Sequence, residues 1–206
     1  MEDPHGRVSG VMGALNHPVF AAMGAAPGLD GARLLFALAL ARWAFLCGPA
    51  ALAALWLFGE AEDRRAAVAA GLATALALAA ALVLSILVAE PRPFMDGTAV
   101  NYLDHVRDGG FPSDHATLTF GIAFALWVRR PPKVPRLWLP LTALAVAVGW
   151  ARVYLGAHYP LDIAGGALLA GVAAALLGSR PGRAASDQMA AFADRVRAAV
   201  VRPLAG

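Results

Sequence analysis

Residues 66–89, AAVAAGLATALALAAALVLSILVA, run for twenty-four positions without a charged side chain. A helix crossing the roughly 30 Å hydrocarbon layer needs about 20 mostly apolar residues, so this run predicts a membrane span. Such a helix keeps almost no polar face, which separates it from the amphipathic helices of a soluble bundle with an oily core. Outward from it, positions 43–59 are uncharged and 33–42 extend that apolar stretch on the amino-terminal side. Further uncharged runs cover 116–128, 137–151 and 163–179. These three are short, and reach spanning length only if His115, Arg152 and Asp162 at their ends lie within the protein's membrane envelope. Polar side chains are costly there and by default mark a functional site. The fold expected is all-α, a polytopic transmembrane helical bundle of about five to six spans.

Composition agrees. Of 206 residues 59% are hydrophobic and 15% charged, where a soluble domain carries roughly 25% charged residues, and the mean hydropathy is +0.61. A disordered chain, a collagen-like repeat and a disulfide-stapled module are excluded, the last because Cys47 is the single cysteine. The net charge of +3 would suggest a nucleic-acid partner in a soluble protein, but placement decides otherwise. Eleven of the 17 lysines and arginines fall in 59–65, in 129–136 (RRPPKVPR) and after Ser179. The positive-inside rule makes that side cytoplasmic. The opposite side receives the amino terminus, the loop 90–111 and the link between the last two spans. Residues 1–30, broken by Pro4, Pro18 and Pro27, show no signal-peptide pattern and read as an extracytoplasmic or interfacial segment. The tail 180–206 reads as cytoplasmic, either an amphipathic helix on the inner leaflet or a flexible end.

Three polar clusters interrupt the apolar background, and this topology brings all three to one membrane face. They are Glu90-Pro91-Arg92-Pro93-Phe94, Phe111-Pro112-Ser113-Asp114-His115, and Arg152 with His158 and Asp162 in ARVYLGAHYPLDIAGG. Arg92 and Arg152 can bind phosphate oxygens in a planar, bidentate fashion without losing their charge. Ser113 precedes an apolar run and is a candidate N-cap, with the free amides of that first turn facing any anion. His115, two residues on, suits proton donation to a leaving oxygen near neutral pH. Asp162 lies four residues after His158, beside Pro160 at a helix start, and can hold one ring nitrogen so that the other is an oriented nucleophile. Together these make a phosphoryl-transfer site in which cations neutralise the transferring group, with no metal or cofactor required. His115, His158, Asp114, Asp162 and Glu90 also number enough to ligate a metal, but there is no HExxH or cysteine pair, and two arginines repel a cation. His5, His17 and His105 lack motif context, and Arg42 is unexplained.

PRP, PSDH and R-x5-H-x3-D, in that order and alternating with spans, resemble the three signature motifs of the type 2 phosphatidic acid phosphatase superfamily. LNHP, LWLFGE, EPRPF, FPSDHAT and GAHYPLDIAGG, spread over about 14–200, resemble its bacterial undecaprenyl-diphosphate phosphatases of the bacitracin-resistance type. The resemblance implies a single membrane-embedded phosphatase domain over 1–206 with a lipid phosphatase/haloperoxidase-like core, sited in the bacterial cytoplasmic membrane with its active site outward. It implies hydrolysis of undecaprenyl diphosphate to undecaprenyl phosphate, recycling the lipid carrier of cell-wall synthesis. His158 is then the nucleophile that becomes a phosphohistidine, Asp162 orients it, and His115 is the acid for the leaving group and later the base for water. Arg92, Ser113 and Arg152 bind phosphate. Two departures stand out: the lysine usual seven residues before the motif arginine is Ser85 here, and Asp114 replaces the glycine of PSGH. Asp114 accordingly joins the phosphate-binding group, with Glu90 and Ser85 as supporting residues. The partners implied are the lipid diphosphate and membrane lipids; oligomeric state is not legible. The same motifs serve phosphatases of phosphatidylglycerophosphate, phosphatidate and lipid A, and a different class of reading is a transporter or non-catalytic protein that binds lipid headgroups.

Overall fold

The computed structural model describes residues 4–201; residues 1–3 and 202–206, the outer ends of the predicted amino-terminal segment and tail, lie outside them. All regular structure among the described residues is helical: α1 (Pro4–Met23), α2 (Gly31–Arg42), a 3-10 turn (Ala44–Leu46), α3 (Cys47–Phe58), α4 (Ala61–Val88), α5 (Asp114–Arg129), α6 (Trp138–Tyr154), α7 (Pro160–Gly178) and α8 (Arg180–Val201). Three stretches are long and apolar enough to cross a membrane, namely Gly31–Phe58 with its internal break, α4 and α7, and α6 is a shorter apolar helix. The run at 66–89 is the body of α4. The helix starts earlier than the apolar run because Glu60 and Asp63 form a reciprocal capping box, so most of the predicted loop 59–65 is its first turn.

Short α5 sits at the centre, packed against α4, α6 and α7. Its interfaces are made of small side chains. Ala66, Ala67, Ala70 and Ala73 of α4 meet Ile122, Ala123, Ala125 and Leu126 of α5. On the α7 side, a Cβ at Gly166 would fall 2.9 Å from the Ser113 carbonyl oxygen and the Thr117 hydroxyl, and one at Gly165 would fall 2.5 Å from the Phe111 ring. Close backbone approach of this kind is how helices associate where lipid removes the hydrophobic drive between them. The large apolar residues point the other way: Leu82, Val83, Ile86 and Leu87 of α4 and Leu168, Val172 and Leu176 of α7 are exposed. The described part of the tail is the helix α8. α8 buries Ser186 and Ala190 and is tied down by Arg64–Asp194 at 2.6 Å and by Arg129–Asp187.

Candidate active site

The site forms where α4 ends and α5 and α7 begin. Ala89 takes a left-handed conformation that closes α4, and the prolines at 91 and 93 keep the following chain from continuing the helix. This turns Arg92 inward, where it is 5% exposed. Its guanidinium is held on every side: Nε donates to Asp108 Oδ1 at 2.8 Å, Nη1 to the Ala157 carbonyl at 3.0 Å and Nη2 to the Gly109 carbonyl at 3.1 Å. Arg152, in the last turn of α6, is 4% exposed, and its buried Nε has no hydrogen-bond partner among the described residues.

His158 lies between these two arginines in the link before α7. Arg92 Nη1 is 2.9 Å and Arg152 Nη2 3.4 Å from its Nε2. Arg92 Nη1 is also 3.3 Å from Nδ1, so it lies across the ring instead of on one nitrogen; it is the acceptors beside Nδ1 that put the ring proton there and leave the lone pair on Nε2. Nδ1 faces the Gly110 carbonyl at 2.9 Å and Asp162 Oδ2 at 3.3 Å. The nearer acceptor is therefore a backbone oxygen, and the Asp162 carboxylate is shared: Oδ2 also accepts from the Tyr159 amide at 2.8 Å, capping the start of α7. Burial first, then the charges of Arg152 and Arg92, hold the His158 imidazole well below its ordinary 6.5. It is a neutral base flanked by two cations, an arrangement suited to attack on an anionic phosphorus that those cations neutralise.

Ser113 is fully buried and is the N-cap of α5, its hydroxyl accepting from the Ala116 amide at 3.4 Å. Its own amide donates to the Asp162 carbonyl at 3.0 Å, locking the starts of α5 and α7 together. His115 is half-buried, stands edge-on to Phe45 with ring centroids 4.8 Å apart, and feels the charges of Arg152 and Arg92. With Phe45, Leu78, Leu118 and Asp114 it lines a mostly apolar cavity of about 190 Å³. Asp114 is exposed beside it, within electrostatic range of Arg152. Glu90 is buried, its carbonyl accepts from the Gly110 amide at 2.7 Å, and its charge reaches Asp162. The Ser85 hydroxyl turns back into α4, donating to the Leu82 carbonyl at 2.8 Å. Among the described residues no three His, Cys, Asp or Glu side chains gather as a set of metal ligands.

Sequence reasoning missed the carbonyls of Gly109, Gly110 and Ala157, since a backbone acceptor has no residue signature. It also missed Asp108, whose signal was an acid just ahead of two glycines.

Residues 66–183 match the PAP2 superfamily. An Escherichia coli (strain K12) protein provisionally named undecaprenyl-diphosphatase YbjG is 36% identical over 77% of this chain and 78% of its own. The Bacillus subtilis (strain 168) undecaprenyl-diphosphatase BcrC is 32% identical over 58% of this chain and 60% of its own. Decaprenylphosphoryl-5-phosphoribose phosphatase of Mycolicibacterium smegmatis is 37% identical over 72% and 77%. In fold, the crystal structure of Aquifex aeolicus LpxE superposes with a TM-score of 0.65, covering 79% of this chain and 93% of that one at 24% identity. The matched segment spans all three polar clusters and most of the bundle that gathers them, and on that ground the chain belongs to the PAP2 superfamily.

Proposed function

We propose that this protein is a membrane phosphatase that removes the terminal phosphate of undecaprenyl diphosphate. The observation that carries the reading is His158 Nε2 with Arg92 2.9 Å and Arg152 3.4 Å away, inside a family of phosphatases. Nε2 attacks the terminal phosphorus, the bond to the bridging oxygen breaks, and undecaprenyl phosphate leaves with a proton from His115. A water, deprotonated by His115, then attacks the phosphohistidine, freeing inorganic phosphate and restoring the imidazole. Arg92 and Arg152 carry the charge that grows on the phosphoryl oxygens, with the first-turn amides behind Ser113 facing the same group. The apolar cavity of Phe45, Leu78 and Leu118 beside His115 suits the first isoprene units of the lipid.

The working unit in this reading is one membrane-embedded domain over 1–206 in the bacterial cytoplasmic membrane. Eleven of 17 cations fall in 59–65, 129–136 and after Ser179, which supports an outward active site, with 1–30 outside and 180–206 inside. A cysteine introduced into 95–110 of a Cys47→Ser protein should react with reagents that do not cross the inner membrane; labelling only by permeant reagents overturns the orientation.

A second reading, hydrolysis of a prenyl-linked phosphomonoester, is favoured by the likeness to decaprenylphosphoryl-5-phosphoribose phosphatase. Phosphate release from undecaprenyl diphosphate, a prenylphosphoryl sugar phosphate, phosphatidate and phosphatidylglycerophosphate, with and without EDTA, separates the two. The first expects fastest turnover of the diphosphate and a loss of about 10⁴-fold or more in His158→Ala; equal release by that variant removes the nucleophile assignment.

A further inference from the structure

The loop that supplies Asp108 brings a third histidine to the site. The ring of His105 stands 6.3 Å from that of His158, centroid to centroid, with the planes 79° apart. Its position is built with care. The Asn101 side chain brackets it, Oδ1 accepting from the His105 amide and Nδ2 donating to the His105 carbonyl, both at 3.0 Å. The neighbours are pinned too. The Tyr102 hydroxyl donates to the Ala26 carbonyl and accepts from the Leu29 amide, both at 2.9 Å. Arg42, unexplained in the sequence, donates to the Leu103 carbonyl at 3.2 Å.

The ring faces two acceptors through Nδ1, the Val106 carbonyl at 3.2 Å and Asp108 Oδ1 at 3.8 Å, and the latter oxygen also holds Arg92 Nε. Nε2 makes no hydrogen bond among the described residues. The charged and titratable groups facing His105 are Arg92, Arg152, Asp108, His115 and His158. The site is also one cation short, because Ser85 stands where the family's lysine is expected and its hydroxyl is spent on the Leu82 carbonyl.

We infer that His105 is a further phosphate-binding residue, which takes up a proton as a phosphoryl dianion enters and supplies the third cationic contact through Nε2–H. The inference rests on the phosphatase reading above. Its physical basis is a reversal of field. In the free protein burial, Arg92 and Arg152 hold His105 below its ordinary 6.5, so it is neutral near pH 7. A dianion between the two arginines cancels their repulsion and adds attraction of its own, while the Val106 carbonyl already accepts at Nδ1 and the Asp108 carboxylate lies 3.8 Å away. Binding of a dianion therefore strengthens as pH falls through the His105 value of the complex, and weakens above it.

The test uses purified full-length protein and inorganic sulfate, which stays a dianion across the working range and so contributes no titration of its own. Calorimetry in buffers of different ionisation heat measures proton uptake on binding. Wild type is expected to take up protons between about pH 6 and 7. In His105→Gln sulfate should bind about tenfold more weakly, the loss of one charge-assisted hydrogen bond, and that uptake should vanish. Unchanged affinity overturns the inference, as does weakened affinity with uptake intact, which is what a merely structural role gives. A second measurement needs no variant: in ring-labelled wild type the titration midpoint of His105 should rise on adding sulfate, and a midpoint that stays or falls overturns it. Lipid phosphate release by wild type against His158→Ala is scored separately, so loss of the phosphatase reading is distinguishable from loss of this one.

Discussion

The two ends of the bundle use cations in opposite ways. At the α8 end the cations that fasten elements together have an acid opposite them: Arg64 with Asp194, Arg129 with Asp187, Lys133 with Glu60. At the other end Arg92 shares one carboxylate, that of Asp108, while Arg152 keeps a buried donor without a partner among the described residues, and both lean on a neutral imidazole. Paired charges fasten helices together. Crowded, under-neutralised charges form a well of positive potential that an anion fills, and only the protein's rigidity keeps the like charges side by side.

That contrast is broken most severely by removing the nucleophile between the arginines, the His158→Ala loss given above. Next in size, Arg152→Lys keeps the charge and loses the planar fork, and kcat/KM should fall about 10²-fold; a fall below threefold would reduce Arg152 to a generic cation. Gly166→Leu drives a side chain into the Ser113 carbonyl and Thr117. It should cost about 1–3 kcal/mol and lower the thermal midpoint in detergent, with activity lost in step because the same contact seats Ser113. The fourth check is of sign. His158 attacks when neutral, and its value lies below 6.5 in the free enzyme, so the neutral form persists as pH falls through 6.5. The acid limb of kcat/KM due to His158 should lie below 6.5, and a limb above it would contradict the cation-crowded environment. Smallest of all, Asp194→Ala opens a partly buried ion pair at the far end; stability should drop by about 1 kcal/mol, and kcat should stay within twofold.

Much of this was legible in the residues. The all-helical bundle followed from charge-free runs, and α4 begins earlier than its run only because Glu60 and Asp63 cap it. The capping position of Ser113 was readable because serine ahead of an apolar helical run has one good use for its oxygen. The grip on Arg92 was not readable, since three of its acceptors are carbonyls or a loop aspartate far from any motif. Nor was the place of His105, 53 residues before His158, because loop geometry rather than periodicity carries it there. The shortness of α5 and α6 was visible, and its reason needed the fold: α5 is walled by protein instead of lipid.

The alanine and glycine interior of α4, α5 and α7 changes what mutagenesis can reveal. In a soluble core, truncation to alanine opens a hole and the phenotype maps the contacts. Here much of the interior already is alanine, so an alanine scan is mute where the helices touch and speaks mainly for side chains that lipid solvates. A scan toward bulk, valine or leucine walked along each helix, inverts the readout: silent positions trace the membrane-facing surface, and intolerant ones trace the seams that hold His158 in register.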